Sequence, residues 1–208
     1  MTHTLHRIGD AESLREDYIL LFLPARGINL EGSEKKMQQI WEVISHHREG
    51  LVNFGNLTDG NSRKTRLEDL KKAKSRIIHA VFKDRNSLKA CLAELKEADF
   101  GISVVVSGLE KEVFSICEEA GLTPHTVNDS LGFHGKTDKL PPEPVLEITT
   151  MCGHALVAAG LVEAMIAAVR TGEKTYEEAA GELSRMCECG IFNPQRAEQL
   201  LRKMVPDE

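Results

Sequence analysis

The chain has 208 residues, with 32 acidic and 26 basic side chains and a formal net charge of −6 when histidine is neutral. Hydrophobic residues make up 41% and charged residues 28%, which excludes collagen, coiled-coil rods and low-complexity chains. The acidic balance and the aromatic content of 5% argue against nucleic-acid binding, which depends on cationic surfaces and on aromatic stacking platforms.

The five cysteines are expected to be reduced thiols. Their number is odd, and no apolar signal sequence is recognisable at the N-terminus, so a disulfide framework is not indicated. The longest apolar run, residues 155–169, is interrupted by Glu163 and is shorter than the ~20 residues that a membrane span needs. We therefore expect a cytoplasmic location and no membrane partner.

The first part of the chain contains one clear strand and one clear helix. Residues 1–16 are polar and predict a flexible N-terminus. Residues 18–23 (YILLFL) form a continuous apolar run that is typical of a buried strand. Ser33 predicts the start of a helix over residues 33–47, and the Gly- and Asn-rich residues 50–62 predict a loop.

A basic segment follows at residues 63–76, with seven bases and two acids. It predicts either a solvated helix face or an anion-attracting patch. Strands predicted at 77–82, 101–106 and 123–127 then alternate with helices at about 87–98 and 107–120. This β-α-β-α-β order favours parallel crossovers. It predicts an α/β fold for residues 17–144, with a mixed or parallel sheet and flanking helices.

Residues 145–208 predict a cysteine-containing strand followed by a helical subdomain. The strand is expected at 145–149, and a nearly all-apolar helix at 153–170. Thr175 and Glu178 have capping-box spacing and start a second helix that ends near residue 186. Asn193 and Pro194 start a final helix that ends near residue 203.

Polar residues follow several predicted strands, where α/β proteins place their ligand sites. If the strands are parallel, these residues share one edge of the sheet and could bind a small anionic molecule. The candidate ligand-binding residues are Ser107, Gly108, Asn128, Asp129, Thr150 and Gly153. His125 and His134 flank the same region, although Asn-Asp-Ser is also ordinary turn chemistry.

The strongest chemical signal is Thr149-Thr-Met-Cys-Gly-His154, placed between the predicted strand and the apolar helix. A thiol at a helix N-terminus has a lowered pKa, so Cys152 is a candidate catalytic residue beside His154. The following two helices form an antiparallel hairpin that returns Cys187 and Cys189 toward Cys152. Three cysteines and one histidine have the composition of a zinc site, and iron–sulfur ligation is also open. Structural thiols and a redox pair remain alternatives.

Met151-Cys152-Gly153-His154 also resembles the active-site motif of the proline racemase and hydroxyproline epimerase family. The resemblance covers these four residues, and Ala155-Leu156 stands where that family usually has Gly-Thr. It implies that Cys152 is the base that removes or returns an α-proton, with His154 as its neighbour.

Three functional hypotheses follow. The first is a metal- or iron–sulfur-binding protein, with or without enzymatic activity, whose ligands are Cys152, His154, Cys187 and Cys189. The second is a metal-free thiol enzyme in which Cys152 is base or nucleophile and His154 or His125 is its proton partner. The third is a binding or regulatory module in which the cysteines are structural.

The apolar helix also predicts self-association. Gly160, Ala164 and Ala168 are spaced by four residues, so another helix could approach closely. Apolar residues cover most of its circumference, so it should be buried nearly all round. Where one subunit does not cover it, a second copy must, and we expect a homodimer.

Overall fold

The computed structural model describes residues 6–206. Within this range, the strands form one sheet of order β3-β2-β4-β1-β5. The strands are β1 (Tyr18–Leu23), β2 (Leu51–Asn56), β3 (Gly60–Asn61), β4 (Ile78–Phe82) and β5 (Ser103–Ser107).

The helices lie on both faces of this sheet. The first four are α1 (Ala11–Leu14), α2 (Ser33–His46), α3 (Leu67–Leu70) and α4 (Arg85–Ala98). They are followed by α5 (Glu110–Glu119), a short 3₁₀ helix at Thr137–Lys139, and α6 (Glu143–Thr149). The last three are α7 (Ala159–Arg170), α8 (Tyr176–Met186) and α9 (Pro194–Met204).

The sheet is antiparallel throughout, and the expected parallel or mixed sheet does not form. β4 pairs antiparallel with both β1 and β2, and β1 pairs antiparallel with β5. The helix α2 joins β1 to β2, which run the same way with β4 between them. The helix α4 joins β4 to β5, which run the same way with β1 between them. This is a split βαβ arrangement. The α/β class with flanking helices is confirmed.

Two hydrophobic cores occupy the two faces of the sheet. Leu20 and Phe22 contribute to the core under α2 and α4, whereas Ile19 packs into the core under the C-terminal helices. Successive strand residues point to opposite faces, so β1 is apolar at every position because both faces are covered. The predicted boundary between residues 144 and 145 falls inside α6, and the two cores share one sheet.

Several predicted elements differ from the structure. The predicted loop at 50–62 contains β2 and β3, residues 123–127 are irregular, and residues 143–149 are helical rather than extended. Of the N-terminal segment expected to be flexible, residues 1–5 lie outside the described residues. From Arg7 onward it is packed, because the Arg7 side chain is 6% exposed and α1 contributes the buried Ser13.

The apolar helix α7 is less covered than its sequence indicates. Val162, Ala168 and Val169 are buried, but Gly160 and Ala164 are exposed. The expectation of burial nearly all round is therefore wrong within one subunit. No helix among residues 6–206 is long and apolar enough to cross a membrane.

Candidate functional site

Four side chains predicted to converge lie together on the C-terminal face of the sheet. We call Cys152, His154, Cys187 and Cys189 the Cys/His cluster. The Sγ atoms of Cys187 and Cys189 are 4.0 Å apart, and Sγ of Cys189 is 3.7 Å from Nδ1 of His154. The three thiols are buried, while His154 is exposed. The cluster is therefore a set of interacting thiols with an imidazole at the protein surface.

Cys152 and His154 lie in the turn between α6 and α7, which corrects their predicted setting. The apolar helix begins at Ala159, not at residue 153, so Cys152 is not at its N-terminus. It follows the C-terminal end of α6 instead. The hydrogen bond with Cys187 and burial raise the pKa of Cys152, and they outweigh the backbone N–H groups of Leu156 and His154, which lower it. The backbone of this turn includes Ala155 at φ 55°, a conformation that non-glycine residues rarely adopt.

Cys187 and Cys189 lie in the segment between α8 and α9, which buried asparagines attach to the sheet. Asn61 of β3 donates from Nδ2 to the carbonyl oxygen of Cys187 at 2.7 Å and to that of Ser184 at 3.0 Å. Asn53 of β2 donates to the carbonyl oxygen of Phe192 at 2.6 Å. The positions of both thiols are therefore set by strands that lie more than 120 residues earlier in the chain.

Gly190 completes this attachment. Gly190 has φ +79°, and a Cβ placed on it would lie 2.3 Å from the carbonyl oxygen of Phe54, so only glycine allows this approach to β2.

The predicted helix caps are present in the structure. The side chain of Asn193 accepts a hydrogen bond from the backbone N–H of Arg196, which confirms Asn193 as the cap of α9. The capping box at Thr175 that begins α8 is also confirmed.

The thiols differ in acidity because they hydrogen-bond in series. The hydrogen bond with Cys187 and burial raise the pKa of Cys152 far above its usual value. The hydrogen bond with Cys152 lowers the pKa of Cys187, but the bond with Cys189 and burial outweigh it and raise the pKa to about 11. The hydrogen bond from Cys187 lowers the pKa of Cys189. Cys189 is therefore the thiol that loses its proton first.

A buried charge network adjoins the cluster; we define it as Arg7, Asp17, Arg196 and Glu147. Asp17 Oδ2 accepts from Arg7 Nη1 at 2.9 Å and from Arg196 Nη1 at 3.1 Å. Arg196 also lies 3.5 Å from Glu147. Burial lowers the pKa of Arg7, whereas Asp17 and, after it, the thiols of Cys187 and Cys152 raise it. No sequence pattern indicates a role for these residues.

The residues predicted to bind a small anion do not have the predicted setting at one edge of a parallel sheet. In an antiparallel sheet, β1 ends at one edge while β4 and β5 end at the other. Asn128 and Asp129 are exposed in the irregular segment after α5, as are His125 and His134. Gly153 is exposed in the turn between α6 and α7. Ser107 is buried at the end of β5, and a Cβ on Gly108 would lie 2.9 Å from the Tyr18 ring. The Thr150 hydroxyl donates to the carbonyl oxygen of Leu146 at 2.7 Å.

The basic segment contacts the segment that carries Cys187 and Cys189, because Lys64 is ion-paired with Glu188. The basic segment is largely ion-paired within the protein, for example Arg76 with Glu34 at 2.9 Å and Lys71 with Glu42 at 3.0 Å. A surface depression of about 900 Å³ is lined by residues of α5 and of segment 121–124, none of which belongs to the Cys/His cluster.

Within the described range, no group of three or more His, Cys, Asp or Glu side chains already has an arrangement that could hold a metal ion. Comparison of the chain with protein-family models, with curated proteins and with solved structures finds no match. The functional assignment therefore depends on the chemistry of the cluster and its surroundings.

Proposed function

We propose that this protein binds a single divalent metal ion, with zinc as the best fit, through Cys152, His154, Cys187 and Cys189. The observation that carries the proposal is the spacing of neighbouring donors. Zinc bonds of about 2.3 Å to sulfur and 2.0–2.1 Å to nitrogen place tetrahedral donors about 3.8 Å (S···S) and about 3.6 Å (S···N) apart. The corresponding distances here are 4.0 and 3.7 Å.

The same spacing favours one ion over a 4Fe–4S cluster. The four ligands of such a cluster bind four different iron atoms and are therefore farther apart than neighbouring donors of one ion. Here the contacts run in series from Cys152 through Cys187 and Cys189 to His154. To bind one ion, the side chains of Cys152 and His154 at the two ends of this series must point toward the same position. Both residues belong to the turn between α6 and α7, so a local change of that turn would bring them together.

Such an ion would join two segments of the C-terminal layer that lie 35 residues apart along the chain. The turn after α6 would be linked to the segment after α8, which Asn61 and Asn53 already attach to the sheet. A four-ligand site without an open position is typical of structural zinc. We therefore propose that the metal stabilises the C-terminal helical layer.

Metal content after anaerobic purification tests this function. We expect about one zinc per chain, and removal of the metal by a chelator should lower Tm by about 10 °C, as for a ligand present at ~1,000 times its Kd. Cys189→Ser should abolish stoichiometric zinc. Cys117→Ser is the matched control, because Cys117 is also buried but belongs to α5.

The outcomes separate the alternatives. Iron with acid-labile sulfide in place of zinc would favour the iron–sulfur hypothesis. A wild-type protein that takes up neither metal, or equal loss of metal in both serine variants, contradicts the metal site.

A metal-free dithiol is the second candidate function. It is favoured by the lowered pKa of Cys189 and by the 4.0 Å between its Sγ and that of Cys187. In this reaction a disulfide substrate is reduced to two thiols while Cys187 and Cys189 form a disulfide. The geometry gives less support to the racemase-like role, because the Cys152 thiol is 2% exposed and its pKa is raised.

We also propose that α7 forms a homodimer contact. Gly160 and Ala164 leave a ridge of small residues exposed, and a Cβ added at Gly160 would meet nothing within 4 Å. Ala164→Glu should leave the monomer folded, because the site is exposed, but should prevent close helix contact. Sedimentation at micromolar concentration should show a dimer for the wild type and a monomer for the variant. A wild-type monomer contradicts the contact.

A further inference from the structure

The guanidinium of Arg7 is buried and fixed to the segment that carries two of the thiols. Its side chain is 6% exposed. Nη1 donates to Asp17 Oδ2 at 2.9 Å, and Nη2 donates to the carbonyl oxygen of Ile191, two residues after Cys189. Its Nε is also buried but has no hydrogen-bond partner among the described residues. The Nε–H group of Arg7 can therefore still donate a hydrogen bond to an anion.

The carboxylates around Arg7 do not fully compensate it. Asp17 is shared with Arg196, and the side chains of both residues are fully buried. Arg196 has a second carboxylate, Glu147, at 3.5 Å. For Arg7, the ion pairs found within residues 6–206 comprise Asp17 alone. A buried cation is destabilised unless an anion compensates its charge. Asp17 is shared between two guanidinium groups, so the positive charge of Arg7 is only partly compensated.

The Cys/His cluster can supply further negative charge. The guanidinium lies beside the segment of Cys187 and Cys189, because its Nη2 donates to the carbonyl oxygen of Ile191. Burial lowers the pKa of Arg7, whereas thiolates at Cys187 and Cys152 would raise it. Three thiolates, one neutral imidazole and one divalent ion carry a net charge of −1. A buried anion of this charge is strongly disfavoured unless a cation lies near it.

We propose that Arg7 is the charge partner of the metal–thiolate complex, and that its positive charge allows three thiolates to bind a divalent ion in a buried site. This inference rests on the proposed function. It assigns Arg7 as a positioning and charge-compensating residue rather than a metal ligand. It also makes the N-terminal segment, which precedes the sheet, part of the site.

Three substitutions separate the charge of Arg7 from its hydrogen bonds. Arg7→Gln keeps amide donors without the charge, Arg7→Lys keeps the charge without the planar guanidinium, and Arg7→Met removes both. Arg15→Met is the control, because Arg15 is also ion-paired, to Glu112 at 2.9 Å, but its side chain is 56% exposed. The affinity for Zn²⁺ alone is measured by competition with a chromophoric chelator, and urea unfolding of the zinc-free proteins reports whether each variant folds.

We expect the Kd for Zn²⁺ to rise 10–100-fold in Arg7→Gln and Arg7→Met, the range typical of groups that support metal ligands. Arg7→Lys should bind close to the wild-type affinity, and Arg15→Met should be unchanged. If Arg7→Gln binds Zn²⁺ with the wild-type Kd, or if Arg7→Lys binds it as weakly as Arg7→Met, the charge role of Arg7 is overturned but the metal site is not. Failure of the wild-type protein to bind zinc would overturn both.

Discussion

Asp17→Ala should destabilise the metal-free protein by about 3 to 5 kcal/mol, the range measured when one partner of a buried ion pair is removed. The Asp17 side chain is fully buried and accepts hydrogen bonds from both Arg7 and Arg196. Without it, two guanidiniums face each other in the interior without a shared anion. Because domains are stable by only about 5–15 kcal/mol, this loss removes a large part of the free energy of unfolding.

Urea unfolding of the zinc-free protein measures this effect. Glu112→Ala is the control, because Glu112 is also paired with an arginine, but it is partly exposed and should cost less than about 1 kcal/mol. The double variant Arg7→Met/Asp17→Ala should be more stable than Asp17→Ala alone, since one of the two uncompensated cations is gone. If Asp17→Ala unfolds at the same urea concentration as Glu112→Ala, the buried charge network does not contribute the expected stability.

Sequence patterns were sufficient to locate the cysteine-bearing segments but not β2 and β3, the strands to which the segment of Cys187 and Cys189 is attached. The short turn between α7 and α8 indicates an antiparallel hairpin, and this places Cys187 and Cys189 near Cys152 even though α7 starts six residues later than expected. By contrast, the Asn- and Gly-rich composition of residues 51–56 is typical of a loop. Asn53 occupies a strand because its side chain bonds to the backbone of Phe192. That partner is remote in sequence and has no local signature.

The incorrect strand direction was predicted from the β-α-β order of β4, α4 and β5. This crossover does join two strands that run the same way. In the structure, however, β1 inserts between β4 and β5 in the opposite direction, so the sheet is antiparallel. Arg7 was missed for a related reason. A single arginine in a polar segment gives no sign of burial, and its carboxylate partner lies ten residues along the chain.

Gly190→Ala should have the second large effect, because it combines backbone strain with a collision against a strand. A left-handed conformation costs a non-glycine residue about 1–2 kcal/mol. In addition, the new Cβ would lie 2.3 Å from the Phe54 carbonyl oxygen and 2.4 Å from its carbon. The segment can relieve this contact only by moving away from β2. That movement stretches the bonds from Asn53 to Phe192 and from Asn61 to Cys187, each costing about 1–3 kcal/mol when buried groups lose their partner.

Gly172→Ala separates the cost of backbone strain from the cost of the collision with β2. Gly172 lies in the α7–α8 turn at φ +73°, nearly the conformation of Gly190, but a Cβ there meets nothing within 4 Å. We expect Gly172→Ala to lose about 1–2 kcal/mol of unfolding free energy and to keep its zinc affinity. Gly190→Ala should lose at least about 2 kcal/mol more and bind zinc weakly, because Cys187 and Cys189 move with the displaced segment. Equal stability and equal zinc affinity in the two variants would show that the contact with β2 does not position these thiols.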